Sequence, residues 1–294
     1  MPPTPDIALD ARARLGEGAL WHDGRLLWVD IQRGEVHRFD PATGHDERRR
    51  LGETVGTVVP RESGGILAAV DRRIVAVGCT PDDLNAGDAA TLAEPEQDLP
   101  GNRFNDGKCC PAGRFFVGSM AKDTAPGAGS LYRLDPDRSV TRVLEGATIS
   151  NGLVWSADHE RMYYIDTPTR RIDAFDYDIE TGALANRRPL CEIPDGLGDP
   201  DGMTIDADGH LWVCMWGGSR VTRWSTKTGR LLGEIPLPVE NPTSCAFGGP
   251  DLRDLYITTA NVGDAGWDSQ PAPAGALFVC RPGPEGLPST PFAG

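Results

Sequence analysis

Leu20-Trp21-His22-Asp23-Gly24-Arg25-Leu26-Leu27-Trp28-Val29-Asp30 reads as two β-strands of aromatic and branched residues joined at an Asp-Gly turn. Working outward, Glu35-Val36-His37-Arg38-Phe39-Asp40 supplies a third strand, Pro41-Ala42-Thr43-Gly44 a further turn, and Arg49-Arg50-Leu51 a fourth strand. The second strand of this unit recurs five times. Its copies are Gly65-Ile66-Leu67-Ala68-Ala69-Val70, Arg114-Phe115-Phe116-Val117-Gly118, Arg161-Met162-Tyr163-Tyr164-Ile165-Asp166, His210-Leu211-Trp212-Val213-Cys214 and Asp254-Leu255-Tyr256-Ile257-Thr258. With Trp28, Leu67, Phe116, Tyr163, Trp212 and Tyr256 taken as equivalent, the steps are 39, 49, 47, 49 and 44 residues. That is the ~40–50-residue period of a four-stranded propeller blade.

Amphipathic stretches of helix length are absent, so the pattern predicts an all-β chain. We read residues 1–294 as one six-bladed β-propeller domain with blades of four antiparallel strands. The last blade shows only three strands, at residues 244–247, 255–259 and 275–279. The N-terminal stretch Ile7-Ala8-Leu9-Asp10-Ala11-Arg12 is expected to supply the fourth, which leaves no open edge between first and last blades. Residues 82–97, acidic and Ala-rich, are expected to form a surface loop with a short helical turn.

Charge narrows the partners. The 294 residues carry 43 Asp and Glu against 29 Lys and Arg, a formal net charge of −14. An acidic chain with no basic face is unsuited to nucleic acid or an anionic membrane and points to a small molecule or a cation. Seven cysteines, an odd number without C-x-x-C spacing, fit reduced thiols better than an extracellular disulfide framework. Met1-Pro2-Pro3-Thr4-Pro5-Asp6 has no basic, apolar leader pattern, and no apolar run reaches membrane-spanning length. The expectation is a soluble cytoplasmic protein, a monomer or weak homo-oligomer.

The repeat also locates the chemistry. Glu17, Asn105 and Asp201 lie 11 residues before Trp28, Phe116 and Trp212, while Asn151 and Ser244 lie 12 before Tyr163 and Tyr256, where the hairpin turns are longer. Gly56 holds the same place in the second blade. These residues begin the innermost strand of each blade, the strand that lines a propeller's channel, so radial repetition makes them converge. An all-oxygen ring suits a hard divalent cation such as Ca²⁺, Mg²⁺ or Mn²⁺ and accepts Zn²⁺. Asx-Gly pairs also mark ordinary turns, so any one of them alone is structural; the shared register is what carries the inference.

Other chemistries find little support. His22, His37, His45, His159 and His210 fall in hairpin turns or outer strands, and none joins an H-E-x-x-H or G-x-S-x-G pattern. No Gly-rich phosphate loop occurs between a strand and a helix. Trp216, followed by Gly217-Gly218, reads as a pocket wall.

Leu15-Gly16-Glu17-Gly18, Asn102-Arg103-Phe104-Asn105-Asp106-Gly107-Lys108, Ser150-Asn151-Gly152-Leu153, Pro200-Asp201-Gly202, Met215-Trp216-Gly217-Gly218 and Pro242-Thr243-Ser244 together resemble the SMP-30/gluconolactonase/luciferin-regenerating-enzyme family over nearly the whole chain. The resemblance implies a six-bladed propeller with one divalent metal ion in the channel, be it Ca²⁺, Zn²⁺, Mg²⁺, Mn²⁺ or Fe²⁺. It makes Glu17, Asn151 and Asp201 the metal ligands, Asp201 also the general base, and Arg103 and Asn105 substrate-binding residues. After Met120, where the family often carries an acidic pair, this chain has Ala121-Lys122-Asp123. Asp123 is expected to keep a substrate-binding role. The implied activity is hydrolysis of a sugar lactone to the open-chain aldonic acid. Rival readings are another metal-dependent esterase or phosphotriesterase, and a non-catalytic calcium-binding propeller.

Overall fold

The computed structural model describes residues 3–294, and six four-stranded antiparallel sheets account for nearly all of its regular structure. Blade 1 comprises Gly16–His22, Arg25–Asp30, Glu35–Asp40 and His45–Arg50, from channel to periphery. The innermost strands of blades 2 to 6 are Val55–Pro60, Asn102–Cys109, Ser150–Trp155, Asp199–Ile205 and Pro242–Gly248. In blade 6 the outermost strand is the N-terminal Asp6–Leu9, paired antiparallel with Leu277–Cys280. The expected closure is therefore the one observed, and it ties both ends of the chain into one sheet.

The recurrent aromatics earn their period by packing between blades. Phe116 of blade 3 meets Trp155 of blade 4 edge-on at 5.1 Å, and Trp212 of blade 5 meets Phe247 of blade 6 at 5.9 Å. Tyr256 of blade 6 stacks on Trp21 of blade 1 at 5.5 Å, so the same contact closes the ring. All of these side chains but the half-buried Trp21 are buried, a stabilisation of ~1.5–3 kcal/mol per large apolar residue, with ~0.5–1.5 kcal/mol more for the aromatic geometry. The cores accordingly lie between adjacent sheets rather than at the molecule's centre. That leaves the axis free for polar groups.

Two local expectations are corrected. Residues 82–97 do not form only a loop: they contain Ala89–Ala93, the outermost strand of blade 2. Alanine has weak strand preference, and here pairing with Arg73–Val77 overrides it. The fourth strand of blade 1 runs from His45 to Arg50, earlier than the Arg49-Arg50-Leu51 segment. Among the described residues all seven cysteines are free thiols, and no helix is long and apolar enough to cross a membrane.

Candidate metal and substrate site at the front of the channel

All six inner strands break register in the same place. Glu17 pairs with Val29 but Leu20 with Leu27, so three steps on the inner strand oppose two on its neighbour. The same extra residue occurs between Phe104 and Gly107, Ser150 and Leu153, Pro200 and Met203, Pro242 and Cys245, and Val55 and Thr57. A bulge bends the strand and re-aims the side chains beside it. Repeated six times at the front end of the channel, where the inner strands begin, it turns Glu17, Asn105, Asn151, Asp201 and Ser244 into one buried ring; each is 4 or 5% exposed.

Glycines let the strands approach this closely. A Cβ on Gly152 would lie 2.7 Å from the Asp201 carbonyl oxygen, and one on Gly202 would lie 2.8 Å from that of Thr243. Any side chain there would push neighbouring inner strands apart. The Asn-Gly and Asp-Gly pairs seen in the sequence thus set the width of the ring.

The polar contacts fix the ring's side chains. Arg103 Nη1 donates to Asn105 Oδ1 at 2.7 Å and to the Phe104 carbonyl at 2.9 Å, while Asn105 Nδ2 donates to the Ser150 carbonyl at 2.9 Å. Asn151 Nδ2 donates to Thr167 Oγ1 at 3.1 Å, and Thr167 in turn donates to the Pro200 carbonyl at 2.8 Å. Asn151 Oδ1, buried, has no partner among the described residues. Glu17 Oε2 accepts from the Gly18 backbone N–H at 2.9 Å.

Electrostatics complete the picture. Burial, then the charges of Asp201 and Asp106, push the Glu17 carboxyl well above its ordinary range. Burial and the Asp106 charge likewise raise Asp201, which lies against Asn151 and Glu17. The buried Arg103 guanidinium, pushed down to about 10 by burial, faces Glu17 and Asp201 and is partly held up by them. Three crowded carboxylates against the Arg103 guanidinium and, beside Asp106, the Lys108 ammonium leave the buried group net negative, which favours a further positive charge.

This arrangement fits a hard divalent cation. Glu17 and Asp201 supply anionic oxygens, and the orphaned Asn151 Oδ1 supplies a neutral one, which otherwise carries the penalty of a buried unpaired acceptor. Among the described residues no three His, Cys, Asp or Glu side chains converge for a metal, so the amide is needed to complete the set.

Asp123 stands apart. It lies on the exposed turn after Phe115–Ala121, where its carboxylate accepts from the Ala125 N–H at 3.1 Å, and it does not join the ring. The Lys122 ammonium beside it is 3.8 Å from the exposed Glu53. Trp216 ends the second strand of blade 5, half-buried against the apolar core between blades 1, 2 and 3. Two residues escaped the sequence reading. Asp106 sits within the Asn-Asp-Gly-Lys run, but the bulge hides which way it turns; Thr167 belongs to a turn after another strand, and no spacing signals it.

A six-bladed propeller with an oxygen-rich, bulge-built ring at one end of its channel is the class these observations define. Residues 15–261 match the sequence profile of the SMP-30/Gluconolactonase/LRE-like region, and the chain belongs to that family. It is 41% identical over 292 residues to the regucalcin of Xenopus laevis, covering 96% of this chain and 95% of that protein. Its fold matches a luciferin-regenerating enzyme with a TM-score of 0.91 at 31% identity, covering 98% and 99% of the two chains. It also matches a calcium-binding protein, regucalcin, from Agrobacterium tumefaciens with a TM-score of 0.89 at 27% identity, covering 99% and 97%.

Proposed function

We propose that the protein is a metal-dependent lactonase that opens a sugar aldonolactone, a pentono- or hexono-1,4- or 1,5-lactone, to the aldonic acid. The observation that carries this reading is the buried Glu17–Asn151–Asp201 group, with its unpartnered amide oxygen and crowded carboxylates, beside a guanidinium already held in place. Membership of a family that includes gluconolactonases supports it.

Glu17, Asn151 and Asp201 would hold one divalent ion, which when bound supplies Lewis-acid polarisation of the lactone carbonyl. Arg103 and Asn105 orient the substrate. Their mutual hydrogen bond fixes the guanidinium before substrate arrives, so its remaining donors meet sugar hydroxyls at little entropic cost. Asp201 would accept the proton of the attacking water on its carboxylate oxygen; burial and the Asp106 charge favour its protonated form in the metal-free site, and a bound cation beside Arg103 would favour the ionised form that a base requires. Asn105, tied by Nδ2 to Ser150, keeps the amide from rotating out of the ring.

Acid release from freshly prepared pentono- and hexonolactones, followed with a pH indicator, tests the proposal. Metal-stripped protein is re-supplied with Ca²⁺, Mg²⁺, Mn²⁺, Fe²⁺ or Zn²⁺ against a no-enzyme control. Metal-dependent acceleration on one lactone class is the expected result; folded, metal-binding protein that accelerates none contradicts it.

A further inference from the structure

Three residues beyond the polar ring, the same six inner strands present Leu20, Val59, Lys108, Val154, Thr204 and Phe247. This second ring is apolar apart from one hydroxyl and one ammonium. Behind it, at the rear end of the channel, lies a cavity of about 260 Å³. Trp21, Val154, Trp155 and Phe247 form much of its wall, and Leu287 to Thr290 of the C-terminal segment pass along it.

That segment is well anchored. The Gly286 N–H donates to the Leu252 carbonyl at 2.8 Å, Ser289 Oγ to the Trp21 carbonyl at 2.6 Å, and the Phe292 N–H to the Pro60 carbonyl at 2.8 Å, with the Phe292 ring fully buried. The C-terminal segment is thus fixed across blades 6, 1 and 2, and the cavity it borders is a built chamber lined by residues of blades 1, 3, 4, 5 and 6. It shares no lining residue with the front ring.

Its charge sets it apart. In a chain with 43 acidic residues, no Asp or Glu lines the cavity among the described residues, and Lys108 does. Lys108 Nζ makes one hydrogen bond among the described residues, to the Met203 carbonyl at 2.9 Å, so two of its three donors remain. Asp106, two residues back on the same strand, is the nearby countercharge. His159 on the exposed turn of blade 4 adds a second basic group at the rim, with the Ser156 and Thr204 hydroxyls also in the lining.

We infer that this rear cavity is a second binding site, separate from the lactonase site, for a small organic monocarboxylate with an apolar or aromatic body. The carboxylate sits on Lys108 and the body lies between Trp21, Trp155 and Phe247. The volume is just below the ~300–1,000 Å³ typical of small-molecule sites, which selects a ligand of one ring or a short branched chain. Apolar walls with one placed ammonium give affinity and orientation respectively.

Titration calorimetry of metal-stripped full-length protein with benzoate, paired with tryptophan emission, tests this, because a carboxylate could otherwise bind a metal in the front ring. The expected result is one benzoate per chain, with benzyl alcohol, similar in shape but uncharged, at least tenfold weaker. Lys108→Met should weaken benzoate at least tenfold. Should that variant not fold, Ala157→Trp, on an exposed turn at the rim, fills the entrance and should have the same effect with lactone turnover unchanged. Asp201→Asn should leave benzoate binding intact. Absence of benzoate binding, equal binding of benzyl alcohol, or binding lost in Asp201→Asn but kept in Ala157→Trp would overturn the inference.

Discussion

The two ends of the channel are made from the same six strands, yet they differ in almost every physical respect. At the front, every inner strand carries a bulge, glycines bring neighbouring backbones to within a methyl group of each other, and the side chains are carboxylates, amides and a guanidinium. At the rear, the pairing is regular again, the walls are aromatic and aliphatic, and one ammonium remains. The difference teaches that the propeller's repeat supplies convergence, whereas the bulge decides what converges. A one-residue insertion is enough to change which side chains a strand turns toward the axis.

The largest effect should come from removing the proposed base at the front. Asp201→Asn is expected to lower kcat by ~100- to 10,000-fold in steady-state lactone assays, the range for a general base. A variant that keeps wild-type turnover would take Asp201 out of the mechanism. Next, Gly152→Ala places a Cβ 2.7 Å from the Asp201 carbonyl and should cost ~1–3 kcal/mol in urea denaturation, with loss of metal binding. Ala157→Trp at the rear should leave the denaturation midpoint nearly unchanged. Equal costs at both ends would break the contrast between them.

Arg103→Lys keeps the charge but loses the Nη1 that bonds both Asn105 and the Phe104 carbonyl, and with it the planar guanidinium. It should raise KM roughly tenfold or more. The crowded carboxylates also make a pH prediction for the metal-free protein. Asp201 is raised to about 8 by burial and then the Asp106 charge, and Glu17 is raised as well, so the native state binds more protons than the unfolded chain between the ordinary carboxylate range and about pH 8. Stability from these groups is fully present at acid pH and is lost as pH rises through that window. Metal-stripped protein should therefore melt lower at about pH 9 than at about pH 5. Saturating divalent cation or Asp201→Asn should shrink that difference, and no change with either would contradict the account. The smallest effect belongs to Asp123→Ala, since the carboxylate is exposed and bonded to its own turn; kcat/KM should change less than about threefold. A larger loss would support direct contact between Asp123 and substrate.

Much of this was legible in the chain. The aromatic period that gave six blades is visible because side chains at this position pack into the cores between adjacent blades, as Phe116 on Trp155, Trp212 on Phe247 and Tyr256 on Trp21 show. The ring positions followed because equal offsets from those aromatics place residues at equal depth in the channel. Pairing that depends on partners elsewhere was not legible. Ala89–Ala93 has a composition that suits a loop and becomes a strand through its neighbour, and Thr167 reaches Asn151 from a turn that no repeat marks. The bulges were hidden for the same reason, since Asx-Gly pairs look alike in an ordinary turn and in an inner strand. Asp123 occupies the expected stretch on an exposed turn, one carboxylate oxygen accepting from the Ala125 N–H, a setting that no spacing in the chain marks.

The most direct test of the central claim is an anomalous difference map from crystals of metal-stripped protein soaked in Mn²⁺. The account predicts one strong peak bounded by the Glu17 and Asp201 carboxylates and Asn151 Oδ1 at the front of the channel. A map with no peak there, or with the ion held elsewhere, would contradict it.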